Sequence, residues 1–266
     1  MSRISEAFTR ARKERRAAFI AYVTAGDPTL DRTVEVVQAL RRGGADLVEL
    51  GIPCSDPIAD GPSNQAAAER ALASGTTPRG VLETVAAIRS RGEDIPIVLF
   101  TYANPVLAYG VEEFARDARA AGADGVLFTD VPVEELELFG PALGAAGLDV
   151  VPLAAPTSSR ERIKTAARRG RGFLYLVSRA GVTGARADLA PELEASIRTA
   201  RKLTKLPVAV GFGISTPRQV ARVARLAHGV VVGSAIVDRI AVVGDSDRLA
   251  EVVQTFVAPL ARACRP

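Results

Sequence analysis

The stretch Ala45–Gly61, ADLVELGIPCSDPIADG, decides how the rest of the chain is read. Its first half is a continuous apolar run of the kind buried on both faces in a parallel sheet, yet it carries an acid, Glu49, at its end. Its second half is a loop of Gly, Pro and Ala with another acid, Asp60, eleven positions on. A charge beside apolar surface is costly unless it has a partner or a task. Seven further runs resemble the first: AFIAYVTAG, IPIVLFTY, ADGVLFTD, LDVVPLAA, GFLYLVSRAG, LPVAVGFG and HGVVVGSA. Amphipathic stretches separate them. Asp27-Pro28, Thr77-Pro78 and Thr216-Pro217 each place a capping side chain before a proline at a helix start, and Gly43-Gly44, Gly122 and Gly147 close helices. Strand and helix alternating eight times over roughly 250 residues predict an α/β fold, a single (β/α)8 TIM barrel spanning 1–266. The segment Met1–Arg16 is expected to be an extra N-terminal helix capping the bottom. A doubly wound open sheet is the weaker alternative, because no G-x-G-x-x-G follows the first strand.

Composition narrows the chemistry. The chain has 266 residues, a hydrophobic fraction of 48% and a formal charge of +4, values of an ordinary globular protein with a mild preference for anions. The basic run RARKERR (Arg10–Arg16) contains Glu14 and reads as a solvated helix face, so no nucleic-acid partner is expected. No apolar run approaches the roughly 20 residues of a membrane span, and the polar N-terminus lacks a signal-peptide core, which predicts a cytoplasmic protein with no membrane partner. One histidine, His228, and two separated cysteines, Cys54 and Cys264, build neither a metal site nor a disulfide framework. The four lysines, Lys13, Lys164, Lys202 and Lys205, fall in helices or the loops after them, poor places for a Schiff base. Catalysis would therefore run on carboxylates, hydroxyls and backbone.

In a barrel the active face lies at the carboxyl ends of the strands. Glu49 at the second strand end and Asp60 in the loop after it then face one cavity. An apolar mouth is expected to raise the Glu49 pKa toward roughly 6 to 7, while Asp60 stays ionised and accepts a hydrogen bond. The structural alternative is that each acid caps a helix or pairs with an arginine such as Arg179. Gly211-Phe212-Gly213 and Gly233-Ser234 follow the seventh and eighth strands, where barrels hold phosphate on backbone N–H groups and a helix N-terminus. The segment Ser178–Pro191, SRAGVTGARADLAP, reads as a mobile lid, with Gly184 as a further phosphate donor. Tyr22, Phe100, Leu127, Leu153, Tyr175 and Phe212 at strand ends would line a slot for a flat aromatic group.

The motif VELGIPCSDPIADG resembles the signature of the tryptophan synthase α subunit family, and the likeness continues through YVTAGDP, YANPVLAYG, TDVPVEE, SRAGVTG, GFGIS and GSAIV in the family's order. The resemblance implies retro-aldol cleavage of indole-3-glycerol phosphate to indole and glyceraldehyde 3-phosphate, a lyase reaction in tryptophan biosynthesis. It assigns Glu49 as general acid/base, Asp60 as the partner of the indole N–H, and Tyr175 as a supporting hydroxyl. It makes Thr183 the lid residue that bonds Asp60, and Gly184, Gly213, Gly233 and Ser234 the phosphate donors. It implies no cofactor on this chain and a β subunit carrying pyridoxal phosphate (PLP), in an α2β2 heterotetramer, docked through Pro53, Asp56, Asn104, Asp130 and Pro132. Cys54, Thr129 and His228 depart from the family pattern, and Thr129 is expected to face the indole slot. Three alternatives stand beside this reading: a free-standing indole-releasing lyase, a silent barrel that only activates a β subunit, and another phosphate-binding barrel such as a sugar-phosphate epimerase.

Overall fold

All eight apolar runs form parallel strands in the computed structural model, which describes residues 2–178, 192–211 and 213–265. The strands are β1 (Ala18–Thr24), β2 (Leu47–Gly51), β3 (Ile97–Thr101), β4 (Gly125–Phe128), β5 (Asp149–Val150), β6 (Leu153–Ala154), β7 (Leu174–Val177), β8 (Val208–Gly211) and β9 (Gly229–Val232). Their order is β5-β4-β3-β2-β1-β9-β8-β7-β6, with every neighbouring pair parallel. Strands β5 and β6 come from the single run LDVVPLAA, interrupted at Val151-Pro152. The first half pairs with β4 and the second with β7, so this run closes the sheet into a barrel. Proline has no N–H to give a ladder, which explains the interruption.

Twelve α-helices lie among the described residues, and the first three follow from local signals. Helix α1 (Arg3–Lys13) spaces Ile4, Phe8 and Ala11 on one face, and these three pack with Ala18, Ile20, Leu47 and Phe173 inside the barrel. The expected plug at the bottom is thus present. Helix α2 (Leu30–Arg42) begins two residues later than Asp27-Pro28 suggests: Thr29 is the cap, accepting from the Arg32 N–H at 3.2 Å. Asp27 is instead held by Arg70 of α3 (Pro62–Ala73) through two bonds of 2.8 and 2.7 Å. A paired arginine outcompetes the backbone N–H as a partner for a buried carboxylate. Thr77 and Thr216 cap as expected, the latter in a reciprocal capping box with Gln219.

A repeated device joins the barrel bottom. Asp46, just before β2, accepts from the Phe19 N–H (2.9 Å) and pairs with Arg16; Asp124, just before β4, accepts from the Ile97 N–H (2.9 Å) and pairs with Arg89 (2.9 Å). Each carboxylate fastens the start of its own strand to the strand beside it, and each buried charge is neutralised by a guanidinium. His228, just before β9, occupies the corresponding place. Its Nδ1 accepts from the Val208 N–H at 2.9 Å. Arg15, following α1, is the one non-glycine residue at positive φ among those described, at 54°. A left-handed L-residue is strained by about 1 kcal/mol relative to glycine.

Candidate active site

Side chains alternate across a strand, so with Leu47 pointing into the barrel Glu49 points in as well, beside its register partners Tyr22 and Val98. Glu49 is completely buried, and neither of its carboxylate oxygens has a hydrogen-bond partner among the described residues. Burial alone pushes its pKa up to about 8, above the range expected from sequence. No arginine among the described residues pairs with it. Arg179, the alternative partner, lies outside the described residues, as do Thr183, Gly184, Phe212 and all of the lid segment except Ser178.

Asp60 has a different environment. Its Oδ2 accepts from the Tyr102 hydroxyl at 2.8 Å and its Oδ1 from Asn64 Nδ2 at 3.3 Å. Burial raises its pKa while these two bonds oppose the rise, so the expectation of an ordinary ionised carboxylate in a polar loop gives way to a buried one held by donors. Tyr102 also accepts from the Ala59 N–H (3.1 Å), which fixes the loop that carries Asp60. Tyr102 and Asn64 were not among the residues singled out from sequence. The first lies in the quoted YANP motif and the second in the opening turn of α3, four residues after Asp60.

Tyr22, Glu49, Asn64, Phe100, Tyr175, Gly213, Gly233 and Ser234 share one cavity, floored by Val231. Backbone N–H groups at the start of α11 (Ser234–Val243), whose cap is Gly233, have no partner within their own helix and face an anion favourably. Two glycines make the tyrosines possible: a Cβ at Gly51 would lie 2.6 Å from the Tyr22 hydroxyl oxygen, and one at Gly211 would lie 1.9 Å from that of Tyr175. Desolvation raises the Tyr175 pKa well above the ordinary value, with the nearby Glu49 and Asp60 charges adding to it. The room left is about 30 Å³, enough for water but not for a ring-sized ligand with the lining side chains as they stand.

Leu127 and Leu153 belong to the inner core and not to the cavity wall. Thr129 does not line the cavity either; its Oγ1 donates to the Thr101 carbonyl at 3.2 Å. Of the residues matched to a docking surface, Asp56, Asn104 and Asp130 are exposed, Pro132 is half-buried and Pro53 is buried. Asp130 accepts from the Ala103 N–H (2.9 Å). Exposed Ile58 stands in the loop after β2 and exposed Leu107 in the short helix after β3.

A closed parallel barrel with a buried glutamate that has no partner among the described residues, a donor-held aspartate close by, and a helix start on the glutamate's cavity defines a barrel suited to hold an anion and to run carboxylate acid–base chemistry. The sequence model of the family described as "Tryptophan synthase alpha chain" matches residues 8–264, and the chain belongs to that family. The tryptophan synthase alpha chain of Solibacter usitatus is 51% identical over 262 residues, covering 98% of each chain. That of Gloeobacter violaceus is 49% identical over 95% of this chain and 91% of its own. Among solved structures, tryptophan synthase subunit alpha from Legionella pneumophila superposes with a TM-score of 0.91 at 36% identity, covering 99% of this chain and 98% of that one. A Mycobacterium tuberculosis tryptophan synthase chain does so with a TM-score of 0.89 at 37% identity, over 100% and 99%.

Proposed function

We propose that this chain is the lyase component of a tryptophan synthase, cleaving indole-3-glycerol phosphate into indole and glyceraldehyde 3-phosphate. The observation that carries the reading is a pair of buried carboxyls held in opposite ways, Glu49 lining the cavity and Asp60 behind it, bonded to the lining residue Asn64. Glu49 is unpartnered, with a pKa of about 8, so at pH 7 about nine-tenths of it is protonated and able to act as an acid. Asp60 is held by Tyr102 and Asn64 and serves as the acceptor.

The steps balance. Asp60 accepts the indole N–H and stabilises positive charge on the ring while Glu49 delivers its proton to indole C3. The resulting Glu49 carboxylate then takes the proton of the glycerol hydroxyl next to the ring. The oxygen lone pair becomes the new C=O of glyceraldehyde 3-phosphate, the C–C bond breaks, and its electron pair returns to the ring as indole. Neither metal nor Schiff base is required, because the protonated ring is the electron sink. Glu49 has both oxygens unpartnered and Asn64 has Oδ1 unpartnered, and a polyol phosphate supplies the missing hydroxyl donors. Backbone N–H groups at Gly213, Gly233 and Ser234 would hold its phosphate, joined by Gly184 and Thr183 of a lid over 178–191.

Indole is a product that a PLP-containing β subunit would consume, in an α2β2 assembly working in the cytoplasm, docked through Asp56, Asn104, Asp130 and Pro132 together with Ile58 and Leu107. The barrel acts as one domain over 1–266. The test is indole release from indole-3-glycerol phosphate by the purified chain, with and without a tryptophan synthase β subunit. A slow rate that rises many-fold with the partner supports both lyase and docking. A fast, partner-independent rate would mean a free-standing lyase, and no indole under either condition would refute the lyase.

A further inference from the structure

The end of the barrel opposite the site carries a second cleft, of about 650 Å³, within the range of small-molecule pockets. It lies between the carboxyl end of α1, the carboxyl end of α9 (Glu192–Leu203) with the loop before β8, and the carboxyl end of α10 (Pro217–Ala224) with the loop before β9. None of its lining residues is acidic. Five of them, Arg12, Arg15, Arg201, Lys205 and Arg225, are cations in no ion pair with a described residue. Only Arg16 is neutralised there, by Asp46 and Glu14.

Two ordinary explanations for such a cluster fall short. Cations gather at helix carboxyl ends, and three such ends meet here, but each supplies only about half a negative charge. That offsets a minority of five cations, and only Arg201 bonds a carbonyl, that of Leu226 at 2.7 Å. Strand-start carboxylates are the second explanation. At β2 and β4 a buried aspartate ties two strands and neutralises an arginine, but at β9 the corresponding acceptor is His228. A neutral imidazole does the aspartate's backbone work and leaves the arginines without a counter-charge. With Nδ1 accepting from Val208, the ring proton sits on Nε2, an additional donor. Arg15 keeps a long cationic side chain at a backbone position that glycine would fill with less strain.

We propose that this cleft binds a small polyvalent anion, in the class of phosphorylated metabolites carrying two or more phosphate charges. The five cations supply the charge, while Phe8, Leu206 and Pro207 give an apolar wall for an organic moiety. The five cations are exposed around an open cleft of limited volume, which suits a small molecule better than a nucleic-acid strand, since a strand needs a continuous track.

The test uses the chain's only histidine as reporter. Burial, with the nearby Arg201 and Arg12 charges adding to it, holds the His228 pKa below its usual value. An anion between them raises it, and a ligand at the catalytic site, at the other end of the barrel, leaves it unmoved. The intact chain is titrated with inorganic triphosphate at physiological salt, following the imidazole proton resonances by NMR and the heat of binding by calorimetry. The expected result is saturable binding with an upward shift in the His228 titration, weakened roughly tenfold or more in Arg15→Gly/Arg225→Gln. Arg15→Gly relieves the positive φ and is expected to raise the unfolding midpoint, so lost binding cannot be put down to misfolding. No movement of the imidazole signal at 10-fold excess over about 1 mM triphosphate, or equal affinity in the double variant, would overturn the proposal. A single-stranded oligonucleotide binding more tightly than triphosphate at the same salt would also overturn it. Because the readout is remote from Glu49, its failure is separable from failure of the lyase.

Discussion

Replacing Glu49 with Gln keeps shape and volume while removing the proton equilibrium, so it isolates what burial of this acid costs. In the folded chain its pKa stands at about 8, against 4.5 when unperturbed. The folded chain therefore holds the proton more tightly than the unfolded chain. This contribution to stability is full below about pH 4.5, declines as pH rises, and is gone once pH passes the folded value near 8. Converted at 1.36 kcal/mol per pKa unit, ionising the buried group costs the wild type about 1 kcal/mol at pH 5, about 3 at pH 7 and close to 5 at pH 9. Relaxation around a charge makes these upper values. Glutamine has no such dependence. Whatever its own unpartnered amide costs is the same at every pH and cancels from the trend. Urea unfolding of both chains between pH 5 and 9 should show Glu49→Gln gaining on the wild type by about 2–4 kcal/mol across that range. The same variant should lose indole release by roughly 10²-fold or more, since it neither donates nor accepts the proton. A stability difference that stays flat from pH 5 to 9 would refute the buried, unpartnered glutamate, and near-normal turnover would refute its role.

Three other substitutions probe the surroundings of that acid. Tyr102→Phe removes the 2.8 Å bond to Asp60, one of two interactions that oppose the upward push of burial; the acid limb of the kcat/KM profile should move to higher pH and the rate fall roughly tenfold, whereas an unmoved limb would mean that Tyr102 does not tune Asp60. Gly211→Ala drives a methyl group into the Tyr175 ring, whose hydroxyl oxygen would lie 1.9 Å away; a loss of about 2 kcal/mol or more in urea unfolding, with lost indole release, is expected, and an unchanged pair of values would contradict the packing. Arg70→Ala leaves the Asp27 carboxylate buried without its two bonds; since Arg70 is itself partly exposed, the expected loss is about 2 kcal/mol and not the full value of a buried pair, and a stability within 0.5 kcal/mol of wild type, the ordinary surface range, would show that Asp27 finds water instead.

What the sequence shows about such a protein depends on how local the cause is. The eight strands are legible because each is a self-contained apolar run. The break at Val151-Pro152 follows from one residue that cannot donate to a ladder. Thr77 and Thr216 are legible as caps for the same reason, their partners being three residues away. Asp27 is not, because the competitor for its carboxylate is Arg70, on a different helix. Glu49 stands out as an acid in an apolar strand, and Asp60 as an acid in a loop with little other charge. The donors that distinguish them do not stand out, because Tyr102 reaches Asp60 across 42 positions and only the barrel's curvature brings the loops after β2 and β3 together.

That separation bears on how two carboxyls perform unlike tasks. Sequence spacing gives both acids the same apparent setting, one strand end and the loop that follows. The fold withholds hydrogen-bond donors from Glu49, whose strand neighbours Tyr22 and Val98 do not bond its oxygens, and brings two donors to Asp60 from other segments. An acid without donors keeps its proton near neutrality; an acid with donors is favoured in the charged form. Moving one donor is then enough to blur the roles. A side chain able to donate to Glu49 would lower its pKa and shrink the protonated fraction that begins the reaction, even though the carboxyl itself stayed in place.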